Sequence, residues 1–102
     1  MIRHCVFLRF RPAVSRAERD AIYADLAALR AELPGMLDFR AGPNVSPEGL
    51  GKGFDEGFVA DFHDAASRDA YLKNPKHRAI GARIAAATEG GPDGILVFDL
   101  AI

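Results

Sequence analysis

Apolar and polar residues alternate from Ile2 to Phe10, with Ile2, His4, Val6, Leu8 and Phe10 on one side and Arg3, Cys5, Phe7 and Arg9 on the other. A period of two predicts a strand, closed by Pro12. Ser15 and Glu18 then stand at capping-box spacing, so a helix is expected from Arg16. Ile22, Leu26, Leu29 and Leu33 follow at steps of four, three and four and form one apolar stripe, with Tyr23 beside it. Pro34-Gly35 ends that helix. Met36 to Ala41 reads as a second strand carrying Leu37 and Phe39, and Gly42 to Gly53 as a long loop.

Alternation returns from Phe54 to Phe62, where Glu56, Phe58, Ala60 and Phe62 share a face. Asp64 is a good N-cap for a helix from Ala65 to about Leu72. Pro75 has no amide hydrogen and disfavours helical geometry at Asn74. It is expected as the first residue of a further helix reaching Ala87, with Ile80 and Ile84 one turn apart. Thr88 to Gly94 is a loop, and Ile95 to Leu100 is a last strand, apolar on both faces. The order βαββαβ predicts an α+β, ferredoxin-like arrangement: a four-stranded antiparallel sheet with the helices on one face. Its first and third strands are expected as parallel neighbours in the centre, with the fourth antiparallel beside the first.

Helices on one face leave the other face bare. The covered face is expected to carry Val6, Leu8, Phe58, Ala60, Ile95 and Val97, and the bare face Cys5, Phe7, Val59, Leu96, Phe98 and Leu100. Leaving large side chains wet costs roughly 1.5–3 kcal/mol each, so a second copy packed sheet to sheet is the expected partner.

The same layout gathers polar groups. His4, Glu56 and Asp99 are expected at one end of the sheet on its covered face, and the second helical region is expected to bring Tyr71 and His77 to that end. The hollow between sheet and helices would then hold His4, Tyr71 and His77 above Val6, Leu8, Glu56, Phe58, Ala60 and Val97. An imidazole titrates near neutral pH, and a neighbouring carboxylate fixes its tautomer. A His and a Tyr converging in an apolar cleft suit general acid–base chemistry; equally, such residues plug a cavity mouth as satisfied polar groups. His4, His63, His77 and Cys5 show no metal-ligand spacing.

Composition narrows the function classes. In a chain of 102 residues, one domain is expected, and hydrophobic residues at 49% suffice for a core. A net charge of −1 favours neither nucleic acid nor an anionic membrane surface. Arg3 and Arg9 break the N-terminal apolar run, so it does not read as a signal peptide, and the single Cys5 suits a reducing cytoplasm.

Several segments together resemble the stress-responsive A/B barrel domain family of dimeric α/β barrels. They are Ile2-Arg3-His4 leading into Phe7-Leu8-Arg9-Phe10, Leu33-Pro34-Gly35, Gly42-Pro43-Asn44-Val45-Ser46-Pro47-Glu48-Gly49, Lys52-Gly53-Phe54-Asp55, Ala70-Tyr71-Leu72 with Asn74-Pro75-Lys76-His77, and Val97-Phe98-Asp99. The resemblance covers nearly the whole chain and implies a homodimer whose two sheets close a barrel. It is similar in particular to a plant polyketide cyclase of that family, which performs an intramolecular aldol step with no metal or organic cofactor. That likeness implies catalytic roles for Tyr71 and His77, a pocket role for His4, and pocket-lining roles for Ile22, Tyr23 and Leu26. Glu56 stands where the cyclase has a further pocket His, and this chain has no Trp. The implied function is a small-molecule pocket for an apolar or phenolic ligand with cofactor-free aldol or lyase chemistry. A non-catalytic, stress-related binding or structural dimer is the alternative, and a cofactor-independent monooxygenase a third.

Overall fold

Four strands and three helices run in the order β1 (Ile2–Leu8), α1 (Arg16–Ala28), β2 (Met36–Pro43), β3 (Glu56–Phe62), α2 (Ala65–Lys73), α3 (Pro75–Ala87) and β4 (Ile95–Ala101) in a computed structural model that describes residues 1–102. Single 3-10 turns at Leu29–Ala31 and Gly91–Gly94 finish α1 and lead into β4. The local signals act as the sequence implies. The Glu18 amide donates to the Ser15 hydroxyl at 3.1 Å and the Ser67 amide to Asp64 at 2.8 Å, satisfying amides that the first turns of α1 and α2 leave free. β1 is shorter than the alternation suggests: it stops at Leu8, and Phe10 makes an isolated bridge to Thr88.

The sheet order is β2-β3-β1-β4 and every neighbouring pair is antiparallel. The expected parallel pairing of β1 and β3 is therefore wrong. The α1 crossover makes β1 and β2 run the same way, and β3 returns from β2 by a hairpin between them, so it must oppose both. In the resulting register His4 lies opposite Ala60 and Asp99, whereas Glu56 lies opposite Leu8. His4 and Asp99 share one end of the sheet and Glu56 sits at the other.

All three helices lie over the face bearing Val6, Leu8, Phe58, Ala60 and Phe62, which with Leu26, Leu29, Tyr71, Ile80 and Ile84 form the core. Coverage fails at β4, an edge strand. Val97 points to the helix side yet is 57% exposed, against 5% for its cross-strand neighbour Val6. On the opposite face Phe7, Leu96, Phe98 and Leu100 are exposed. Cys5, expected there as an exposed residue, is already covered, because it lies on a central strand between Val59 and Phe98. Arg3 and Asp61, also cross-strand neighbours on that face, form a two-pronged ion pair at 2.9 and 3.1 Å. No helix is long and apolar enough to cross a membrane.

Candidate active site

The break at Asn74 organises the site. Its backbone is extended (φ −62°, ψ 129°), which closes α2 one residue before Pro75 opens α3. Its side chain accepts from the amides of Lys76 and His77 at 2.8 and 3.2 Å. One residue thus stops one helix, caps the next and fixes where His77 emerges. The His77 ring lies over that of Tyr71, with centroids 4.1 Å apart, and Tyr71 in turn meets the edge of His4 at 5.8 Å.

His4 is buried and its Nδ1 lies 2.7 Å from Asp99 Oδ1. Arg68, on α2 one turn before Tyr71, donates from Nη1 to the other oxygen of Asp99 at 2.9 Å. Two acceptors cannot bond, so in the neutral His4 ring the proton sits on Nδ1 towards Asp99 and the second ring nitrogen is left as an acceptor.

Tyr71 is 0% exposed, and neither its hydroxyl nor His77 Nδ1 has a hydrogen-bond partner. Burial pushes the Tyr71 phenol well above its ordinary range, so it stays protonated and can only donate or accept a hydrogen bond. Burial also holds the His77 imidazole below its ordinary value; the Leu72 carbonyl opposes this without making a well-formed hydrogen bond, and His4 adds to it. A depressed imidazole makes stability depend on pH in a definite direction. The unfolded chain takes up a proton near pH 6.5, which the folded chain accepts only at lower pH. The contribution from His77 is whole above pH 6.5 and is lost as the pH falls towards the folded value. Urea unfolding at pH 7.5 and 5.5 should show a smaller acid loss in His77→Gln than in the native protein. An identical loss would mean that the ring charges as freely in the fold as out of it.

Beside these rings lies a cavity of about 390 Å³, within the range for small-ligand pockets. Val6, Phe58, Leu72, Ile84, Ile95 and Val97 form its apolar wall, and His4, Arg68, Asp69, His77 and Asp99 its polar side. Two larger hollows, about 570 Å³ along α1 and α3 and about 420 Å³ beside β2 and β3, hold no imidazole. The structure brings His4, Tyr71 and His77 together, but Tyr71 lies behind the histidines and does not line the cavity.

Other expected lining residues lie elsewhere. Leu8, Ile22, Leu26 and Ala60 are sealed in the core. Glu56 is far from His4 because of the antiparallel register; it takes two hydrogen bonds from Arg16, at 2.7 and 3.0 Å, and one from the Tyr23 hydroxyl at 2.9 Å. That buried carboxylate ties α1 to β3 and its hydrogen bonds are all internal. His63 is exposed beside its neighbour Asp64. Sequence reading missed Arg68 and Asp69, and that Gly81 and Ile84 continue a stripe from His77 along α3 to the cavity. The spacing of that stripe, four and three residues, was the available signal. No group of three or more His, Cys, Asp or Glu side chains is placed to hold a metal ion.

The whole architecture has counterparts. A dimeric ferredoxin-like protein of unknown function from Jannaschia sp. CCS1 is 36% identical, with a TM-score of 0.92 over 99% of this chain and 98% of that one. The hydroxynitrile lyase of Passiflora edulis is 26% identical, with a TM-score of 0.84 over 99% of this chain and 92% of that one. A dabb family protein with a ferredoxin-like fold from Mesorhizobium loti is 24% identical, with a TM-score of 0.75 over 99% and 95%, a likeness of fold. None of the curated proteins matches. The family model described as Stress responsive A/B Barrel Domain matches residues 2–102, and the chain belongs to that family.

Proposed function

We propose that the protein is a homodimeric A/B barrel whose cavity takes a small apolar ligand bearing a hydroxyl or carbonyl group, and that it performs cofactor-free acid–base chemistry on that ligand. The observation that carries this reading is the pair of imidazoles on one apolar cavity, backed by a buried phenol and a buried ring nitrogen with no partner. Leaving such groups unpaired costs about 1–3 kcal/mol each, and a catalytic role is one of the few explanations for keeping them.

In this scheme His77, kept neutral by burial, removes a proton from the ligand's hydroxyl. The oxygen electron pair then forms a carbonyl as the adjacent carbon–carbon bond breaks, and the departing carbon takes the bonding electrons. His4, oriented by Asp99, is a second polar contact for the ligand, Tyr71 donates to the developing charge after a small shift of the His77 ring, and the proton held by His77 passes to the departing carbon. Run backwards, the same step is an addition of the aldol type. The Passiflora hydroxynitrile lyase supports the lyase direction. The described dimers of related structures, and the exposed Leu96, Phe98 and Leu100, support self-association through the back of the sheet. A cytoplasmic setting fits the free Cys5 thiol.

A non-catalytic ligand-binding dimer is favoured by one observation: Tyr71 is sealed from the cavity in this state. Aldehyde release from mandelonitrile and from an aryl β-hydroxyketone separates the two. Release by the native protein, falling by about 10² or more in His77→Ala with an unchanged circular dichroism spectrum, is expected. Ligand binding without release would favour the binding module. Equal release by His77→Ala would remove His77 as the base.

A further inference from the structure

We propose that the cavity selects uncharged ligands and turns away carboxylates, with Arg68 and Asp69 at its rim setting that preference. This rests on the small-molecule reading above and narrows its substrate class. Five titratable groups line the cavity: His4, Arg68, Asp69, His77 and Asp99. A lone arginine beside an apolar pocket would ordinarily invite a carboxylate. The charge of Arg68 is already offset. Its Nη1 donates to Asp99 at 2.9 Å and its Nε to Asp69 at 3.1 Å, so one guanidinium serves two carboxylates. With both imidazoles neutral the lining carries one positive and two negative charges. Even a His4 imidazolium would bring the sum only to zero.

A ligand carboxylate entering this space meets net negative charge. Arg68 keeps free N–H groups, but a carboxylate that takes them shares the guanidinium with Asp69 and Asp99 and is repelled by both. A ligand ammonium fares little better. Asp99 is already engaged by His4 and Arg68, Asp69 is half-exposed at the rim, and the rest of the wall is apolar. The desolvation that keeps His77 neutral applies equally to a bound cation. A neutral molecule with one hydroxyl suffers neither penalty. It can donate to the open nitrogen of His4 while its hydrocarbon part covers the apolar wall.

Three probes with the same ring and different charge test this: 2-naphthalenemethanol, 2-naphthoate and 2-naphthylmethylamine, titrated at low ionic strength while the backbone amide signals of Gly81 and Val97 are followed. The alcohol should bind about tenfold or more tightly than either ion, the size expected of one unscreened charge at this range. In Asp69→Asn, Arg68 loses a counter-ion, and the disadvantage of the naphthoate relative to the alcohol should shrink severalfold. Naphthoate or the amine binding the native protein as tightly as the alcohol would overturn the selectivity while leaving the small-molecule reading in place. An unchanged ratio in Asp69→Asn would overturn the role given to the rim. Failure of all three probes to shift these signals would overturn the inference together with the reading beneath it.

Discussion

A chain with glutamate in place of both Leu96 and Phe98 should sediment at the mass of one subunit, where the native protein is expected at twice that mass. Both side chains stand on the helix-free face, 47% and 56% exposed. They flank the half-exposed Phe7 and extend towards Leu100 along an edge strand whose outer backbone groups are also unpaired. Such an edge invites indiscriminate pairing unless something covers it. Two-fold assembly would bury each residue twice. Because each is already about half covered, its further burial is worth about 1 kcal/mol rather than the 1.5–3 kcal/mol of full burial. Four such side chains lost per dimer should weaken association by about three orders of magnitude. The buried carboxylates would weaken it further. Sedimentation velocity across a dilution series reads this directly. The double variant should keep its fold, because neither residue belongs to the core on the helix side. A variant that still sediments as a dimer would place the contact on another surface.

The fold was legible because its signals are local. Two-residue alternation marked β1 and β3, Ser15 and Asp64 marked helix starts, and Pro75 marked the break. Strand direction is not local. Whether β3 opposes β1 depends on how a crossover and a hairpin combine, and the mistaken parallel pairing moved Glu56 to the wrong end of the sheet. The alternation itself survived that error: a reversed strand keeps the same residues on the same face, so the core on β1 and β3 was read correctly, Val97 on β4 was not, and the site was read only in part.

The site shows the same division. Tyr71, Asn74 and His77 are six residues apart at most, and one helix break settles their relation. Asp99 reaches His4 only through pairing across 95 positions, which left it an alternative to Glu56 until the register was known. Arg68 was overlooked because an arginine on an amphipathic helix ordinarily faces water. Its role depends on β4 ending beneath it. Tyr23 was legible as buried, but its partner is Glu56 rather than a ligand.

Replacing Tyr71 by phenylalanine should stabilise the protein while impairing it. The hydroxyl is fully shielded and meets no acceptor or donor, so the folded state bears the cost of stripping its water. Phenylalanine keeps the ring that packs on Phe62 at 5.0 Å and on His77 at 4.1 Å and removes only the unpaired oxygen. The gain should be about 1 kcal/mol, the lower part of the range for an unsatisfied buried polar group, since a small void remains where the oxygen was. If the hydroxyl donates to charge developing on the ligand, the same change should lower turnover by about 10². Because burial keeps the phenol protonated, that loss should be independent of pH across the neutral range. The opposite signs are the test. A tyrosine kept for packing would show the gain in stability with turnover unchanged, and one held by an internal hydrogen bond would lose stability on substitution. Urea unfolding and aldehyde release, measured on one preparation, distinguish these cases, and a less stable Tyr71→Phe with full activity would remove Tyr71 from the chemistry.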